Sequence, residues 1–531
     1  MPRAAALAAA LLGVFSGSFS ASAADRLHVR IDRLIEARAA GPVAAPATDA
    51  EFLRRTFLDL TGRIPSAAEA RAFLADTSSK KRGKLIDRLL AGPEYSRRMA
   101  ELFHVVLMER RGDNAEWAAF LRSSFEQNKP WDRIAREILS PDADDKATRG
   151  AAFFYSRRLE KYGQNPTDFP GLTRDVGRLF LGMDLQCAQC HDHVHIEDYK
   201  QRMYQGLFAF LGNVFIRRET KFPAVGVKPL RKKLDFMSVF LKEPNSTGPR
   251  VPGDTEISIP TFKKGEEFTR PPDRKTRFPG EPKFNTLKQL GERLPRAENK
   301  PFVRNIVNRL WFAMMGRGLV HPLDLHHSKN PPSHPQLLEL LSREFVAHKF
   351  DIKWLLRELA LTKTYQRSGM LPRGVKRVPE ASYRVCNERA LSAEQLLRSM
   401  LVATGSTAKL QQAARFDELR PDFVAAFGNT PRDPEITFNP SVKSALFMMN
   451  SPKVLDLLVC KPGNLIDRLA KTQSTAALAE ELYLTVLTRR PTADEKQTVA
   501  EHLKQKGADR AQAVAQLAWA LLSSTEFCVN H

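Results

Sequence analysis

Cys187-Ala188-Gln189-Cys190-His191 is the sharpest chemical signal in the chain. Thiols three positions apart stand on one face of a helical turn, and an imidazole at the next position lies beside them. Two such thiols can bond the vinyl carbons of a porphyrin while the imidazole ligates its iron, so C-x-x-C-H reads as c-type haem attachment. On this reading Cys187 and Cys190 anchor a covalent haem c and His191 is the iron's axial ligand. The same residues admit two other readings. In an oxidising compartment Cys187 and Cys190 suit a local disulfide. His191, His193 and His195 would share one face of an extended segment. Neutral imidazoles suit zinc, copper or iron, and a non-haem metal held there would activate water for hydrolysis.

The sixth position on a haem iron is left open; Met183 and Met203 are near in the chain. A second histidine-rich stretch, His321 to His334, includes His326 and His327, and the two stretches hold seven of the 12 histidines. This second stretch reads as surface, with His334 in the first turn of a helix. His326 or His327 reaches the first cluster only if the two halves of the chain pack together. Cys386, Cys460 and Cys528 are isolated and read as small hydrophobes. The sequence contains no G-x-S-x-G elbow, no Walker loop and no H-E-x-x-H, which removes the commonest hydrolase and nucleotide-binding signatures.

The elements that must position these residues are mostly helices. Thr48 with Glu51, Ser66 with Glu69, Ser392 with Gln395 and Thr492 with Glu495 have capping-box spacing before apolar runs. Asn128, Asn299, Ser333 and Asp351 are further N-cap candidates, and Gly316 is a C-cap candidate. Val176, Leu179 and Phe180 lie on a helix expected to end at the C-x-x-C-H motif, and Ala511–Leu522 is expected to close the chain as an apolar helix. Residues 217–283 differ: they hold ten of the chain's 34 prolines, and sixteen Lys and Arg against nine Asp and Glu. They read as a basic, irregular module with a strand at Glu256–Ile259. The fold class is mainly α: a signal peptide over 1–23, a helical cytochrome-like domain over 48–216, the Pro-rich, partly β module over 217–283, and a second helical domain over 284–531.

The apolar stretch Ala4–Phe15 follows Arg3 and precedes Ala21-Ser22-Ala23, a pattern expected of a cleaved secretory signal. Export to a periplasmic or extracellular compartment is where c-type haem is attached. No later segment reaches about 18 consecutive apolar residues, so the mature chain carries no transmembrane helix. With 82 Lys and Arg against 60 Asp and Glu, the chain has a net charge of +22. Such a surface attracts polyanions. Export makes nucleic acid a poor partner and leaves acidic polysaccharide, anionic lipid or an acidic protein.

At these residues the chain resembles the secreted planctomycete-type cytochrome-associated family. That family pairs a cytochrome-like domain of unknown function (1549) with a planctomycete-specific one (1553). The segments that carry the resemblance are EFLRRTFLDLTGRIPS, KLIDRLLAGPEYSRRMAELF and LFLGMDLQCAQCHDH in the first half. NKPFVRNIVNRLWFAMMGRGLVHPLD, NPPSHPQLLELLSREFVAHKFDIKWLLRELALTKTYQRS and LLSSTEFCVNH carry it in the second. The resemblance implies that Cys187, Cys190 and His191 are haem-type attachment positions, and His193 matches the same element. Where relatives follow CHDH with Pro and an aromatic-rich segment, this chain has Val194-His195-Ile196-Glu197-Asp198. After PLD it has Leu325-His326-His327 in place of an acidic or aromatic residue and Arg. The resemblance implies fold and site but no reaction. The reading of the sequence is therefore an exported c-type haem protein that works in electron transfer, with a redox partner protein, or in a haem-assisted redox step. A secreted binder of acidic polysaccharide and a metal-dependent hydrolase are the alternatives.

Overall fold

A computed structural model describes residues 26–161, 163–405, 409–434, 441–506 and 509–531. The expected signal peptide over 1–23 lies outside them. The described residues form twenty-three α-helices and four two-stranded antiparallel sheets, so the chain is mainly α. No helix among the described residues is long and apolar enough to cross a membrane.

Most of the expected caps are present. Ser66 and Glu69 close a reciprocal capping box on the helix Ala67–Ala75, and Ser392 and Gln395 do the same on Ala393–Thr404. Each satisfies two backbone donors that the first helical turn leaves open. Asn299 caps Lys300–Met315, Asp351 caps Ile352–Ala360, and Gly316 ends the former with φ 78°. Two expected caps differ. Asn128 adopts φ 49° and its amide donates to Asp351 at 3.0 Å. The helix Trp131–Leu139 starts instead after Pro130, and the Trp131 N–H donates to the Phe350 carbonyl at 3.1 Å. His334, not Ser333, is the N-cap residue of Pro335–Ala347. Ala511–Leu522 is helical, within Arg510–Leu522, yet the chain continues through Thr525–Cys528 to the strand Val529–Asn530, which pairs with Arg389–Ala390. A helix at Leu27–Glu36 precedes the first expected one; its Asp32 accepts the backbone N–H groups of Lys363 and Thr364 at 2.8 and 3.0 Å.

Hydrophobic packing divides the chain at a place its composition does not mark. One core runs from Leu27 to Tyr383, joined by Leu484, and so unites the first helical segment with helices well beyond residue 284. A second core takes Leu391 to Phe527 together with Leu58 and Ile64. Trp131 sits where the first core's halves meet. Its ring lies 5.2 Å from Phe103, 6.2 Å from Phe180 and 6.3 Å from Phe302. Aromatic rings at these separations add directional attraction to the apolar area they bury.

The Pro-rich segment forms two of the small sheets, Leu234–Met237 with Pro244–Thr247 and Phe268–Arg270 with Glu281–Pro282, and supplies Val225–Val227 to a third, whose other strand, Val214–Ile216, lies just before it. Glu256–Ile259 is not a strand. Pro252 and Pro260 flank it without donors for a ladder, and Ile257 N–H donates to the Pro249 carbonyl at 2.8 Å.

Phe302→Ala removes a fully buried ring that stacks on Trp131 and meets Phe350 at 6.1 Å. Loss of a large core ring costs about 3–5 kcal/mol. Chemical denaturation should show a destabilisation of that size; a loss under about 1 kcal/mol would mean that this cluster does not hold the halves together.

Candidate functional site

The C-x-x-C-H motif is placed by the helix Phe169–Leu181. Leu172, Val176, Leu179 and Phe180 bury its apolar face, while Asp175 and Arg178 bury a charged one. Arg178 is ion-paired with Glu109 at 2.6 Å, Asp324 at 2.9 Å and Asp175 at 3.0 Å. Asp175 also pairs with Arg158 at 2.8 Å and Arg111 at 2.9 Å. Burial alone would raise the Asp175 carboxyl, but the guanidinium groups of Arg158, Arg111 and Arg178 outweigh it and hold it at about 2, against an ordinary 3.8.

The helix ends at Gly182, whose φ of 68° opens the left-handed turn. A Cβ there would stand 2.7 Å from the His326 ring and 3.0 Å from the Asn305 side-chain oxygen. Two backbone bonds then fasten the outgoing strand: Asp184 N–H to the Asp324 carbonyl and His326 N–H to the Gly182 carbonyl, both 2.9 Å. Arg174 grips the Asp184 carboxylate at 2.9 and 2.7 Å.

The motif therefore begins six residues beyond Leu181, the last residue of the helix, on a 3₁₀ turn, Cys187–Gln189, and not in the helix itself. In such a turn side chains at i and i+3 eclipse one another, so Cys187 and Cys190 still share a face. Both thiols are free and exposed, while Ala188 between them is fully buried and anchors the turn. Gln205 and Gln201 donate from their amides to the Gln189 carbonyl at 2.9 and 3.3 Å. Asp192 accepts from the Gln201 N–H at 2.8 Å and so caps the helix Gln201–Leu211.

The three imidazoles of the motif are not equivalent. His191 Nδ1 lies 2.6 Å from the Asp192 carbonyl oxygen. A carbonyl only accepts, so Nδ1 carries the proton and the neutral ring leaves its Nε2 lone pair free. His193 is the reverse: its Nδ1 accepts the backbone N–H groups of His195 and Ile196, both at 3.1 Å, which puts the proton of the neutral ring on Nε2. The segment 191–195 bends, with the His193 and His195 rings 6.5 Å apart. Among the described residues no three His, Cys, Asp or Glu side chains form a group that could hold a metal ion.

The two histidine-rich stretches meet. Tyr199, fully buried, has its ring 6.2 Å from His193 on one side and 5.4 Å from His327 on the other, both edge-on, and its hydroxyl donates to the His326 carbonyl at 3.2 Å. Burial and the nearby Arg309 guanidinium push His326 down to about 4. The second stretch is thus packed between the halves, where the sequence read it as surface. Met183 is buried in the core and pairs in a short bridge with Leu325; Met203 is partly buried against the same core. Of the isolated cysteines, Cys386 and Cys528 are partly buried, but Cys460 is exposed.

With this geometry in view, comparison with known proteins gives two matches. The family described as PSCyt2, a protein of unknown function (DUF1549), matches residues 30–215, and the family described as PSD1, a protein of unknown function (DUF1553), matches residues 287–425. The chain belongs to the family that pairs these two domains. No curated protein and no solved structure matches it. The PSCyt2 match contains the whole C-x-x-C-H turn, and the PSD1 match contains Asp324, His326 and His327, so the contact between histidine stretches is a contact between the two domains.

Sequence reasoning missed the hairpin Leu234–Thr247. Val239 N–H donates to the Cys190 carbonyl at 3.1 Å, and the Phe240 ring lies 4.6 Å from the His191 ring. Met237, Val239, Phe240 and Leu241 are 55–72% exposed. The signal was present as the apolar run Phe236-Met237-Ser238-Val239-Phe240-Leu241 inside a basic segment.

Asp175→Asn removes one carboxylate from the cluster of arginines. The depressed folded-state pKa means that Asp175 contributes stability fully above about 3.8 and loses it as pH falls through about 2. The wild type should lose about 2 kcal/mol to this group over that window, and Asp175→Asn should be less stable at pH 7 by about 3–5 kcal/mol with a flatter acid limb. Parallel acid-unfolding curves for the two proteins would contradict this assignment.

Proposed function

We propose that the chain carries a c-type haem on Cys187 and Cys190, with His191 as axial ligand, and passes single electrons through it. The observation that carries the reading is the hydrogen bond from His191 Nδ1 to the Asp192 carbonyl. Metal-ligating imidazoles ordinarily donate their other ring N–H to a carbonyl or carboxylate, which fixes the tautomer and raises the basicity of the ligating nitrogen. The donor set fits the group: two free, exposed thiols on one face of a turn, then an imidazole with its Nε2 lone pair unused.

The surrounding residues have definable tasks. Ala188 and the Gln201 and Gln205 amides hold the turn in place. The exposed Val239, Phe240 and Leu241 offer an apolar surface beside the imidazole, suited to the face of a porphyrin and to limiting water there. A bound haem would supply a reversible one-electron couple. His193, whose Nδ1 is occupied by two backbone donors, orients the loop and is not a ligand on this reading. The family match leaves the redox partner and any substrate undetermined, since both domains are described as of unknown function.

Full-length protein exported alongside cytochrome c maturation machinery should give a haem-stained band that survives denaturing electrophoresis. Cys187→Ala with Cys190→Ala should abolish it. His191→Ala should change the Soret and low-spin bands, whereas His193→Ala should leave them in place. Maturation-competent material without a stained band, in which both thiols alkylate only after reduction, would sink the haem reading in favour of a disulfide. Stoichiometric zinc without haem, lost equally from His191→Ala and His195→Ala, would favour the hydrolase.

A further inference from the structure

A cavity of about 570 Å³ lies away from the motif, and none of residues 187–195 lines it. Its volume is that of an ordinary small-molecule site. The helices Pro93–Met108 and Lys300–Met315 form two walls, and the segment from Glu388 to Gln395 with Val529 and Asn530 forms a third. It is therefore built from both matched domains and from the C-terminal end of the chain.

Much of the lining is apolar, including Leu102, Phe103, Val106, Ile306, Leu310 and Phe312. The charged groups among it are unevenly satisfied. Asp59 pairs with Arg389 at 3.0 Å and Glu109 with Arg178 at 2.6 Å. Glu394 pairs with Arg110 at 2.5 Å, Glu380 with Arg317 at 3.1 Å, and Glu101 with Arg398. Glu388 is exposed to solvent. Arg98 is the exception among the cations: among the described residues it forms no ion pair and no hydrogen bond, and its Nε is buried without a partner. Burial pushes its pKa down, and the carboxylates of Glu101, Asp59 and Glu394 offset that only in part. Trp131 Nε1, His321 Nδ1, Arg389 Nε and Asn530 Oδ1, on residues that also line the cavity, are buried without partners. Buried polar groups are nearly always satisfied, so a lining guanidinium without an ion pair or hydrogen bond marks a place where something polar belongs.

We propose that this cavity binds a small amphipathic carboxylate, with its apolar body against the two helices and its acid group on Arg98. A guanidinium suits this task because its planar fork presents paired donors to a carboxylate. A negative head group matches the one lining arginine that lacks an ion pair, whereas a cationic ligand would find the buried carboxylates Asp59, Glu109 and Glu394 already paired. The site is independent of the haem reading.

Decanoate is the probe, titrated into the full-length protein and followed by calorimetry and tryptophan fluorescence, since Trp131 is part of the lining. One decanoate should bind per chain, and 1-decanol of the same length should bind about tenfold to a hundredfold more weakly, the loss expected for a charge-assisted hydrogen bond. Arg98→Met should weaken decanoate by a similar factor while leaving decanol unchanged, and Arg98→Lys should fall between. Folded wild type that binds no decanoate saturably, or binds decanol equally well, overturns the proposal. So does undiminished decanoate binding in Arg98→Met. If Arg98→Met does not fold, the wild-type comparison and Arg98→Lys decide.

Discussion

Arg178 is the joint on which the rest of the structure depends. Its guanidinium is held by Glu109, Asp175 and Asp324, three carboxylates from three separate stretches of chain. Burial disfavours the charge, and the three carboxylates outweigh burial and raise its pKa. Breaking one partner of such a cluster leaves a buried charge uncompensated, which is costlier than never having built it. The clamp acts in two directions. Toward the motif, Asp324 holds Arg178 with its carboxylate and Asp184 N–H with its backbone carbonyl, so the strand leading to Cys187 is fixed at its root. Toward the cavity, Glu109, Arg178 and Arg309 form part of the wall, and Arg309 shares Asp324.

That rigidity gives the imidazoles of the motif different roles although the sequence places them at equal spacing. The turn at Gly182 brings His326 against the helix end, and Tyr199 fills the space between His193 and His327. With Tyr199 locked, His193 N–H donates to the Tyr199 carbonyl at 2.9 Å and the ring turns back to accept from His195 and Ile196. His193 is thus consumed by the loop it sits in. His191, one residue beyond the 3₁₀ turn and its closing Cys190, lies against Phe240 with its Nδ1 committed and its Nε2 uncommitted. A triad of equivalent imidazoles would require the extended backbone that the bends at 191–195 do not provide.

Local signals in the sequence were legible where the physics is local. Ser66, Ser392, Asn299 and Asp351 cap the helices their spacing announces, because a cap needs only its own first turn. Asn128 failed because its backbone turns to φ 49° and the helix starts only after Pro130, where the Trp131 N–H finds the Phe350 carbonyl from a distant segment. The Glu256–Ile259 alternation failed because period 2 describes which face a residue takes and not whether a neighbouring strand exists. The motif was legible, since five consecutive residues carry it, but the turn type was not. The hairpin beside His191 was hidden by the charge and proline content around it. The cavity was invisible, since its walls come from Asp59, Arg98, Arg309, Arg389 and Asn530, and no spacing relates them.

The basic composition itself takes on a second meaning inside the fold. Read from the sequence, +22 is a surface looking for polyanions. Yet Arg54 is 2% exposed and donates to the Val486 and Phe527 carbonyls at 3.3 and 2.7 Å, and Arg55, fully buried, donates to the His531 carbonyl at 3.0 Å and to Tyr365. Arg384 donates to the Ala40 carbonyl at 2.7 Å, and Arg367 to that of Tyr383 at 2.6 Å. These guanidinium groups use five donors in a fixed fork to gather carbonyl oxygens from distant segments; Arg54 and Arg55 tie the helix Asp49–Thr61 to the chain's C-terminal end. A carbonyl satisfies the hydrogen bond without cancelling the charge, which is why burial pushes Arg54 down to about 10. Part of the excess charge is therefore structural fastening in the interior, and the formal count overstates what the surface offers to a polyanion.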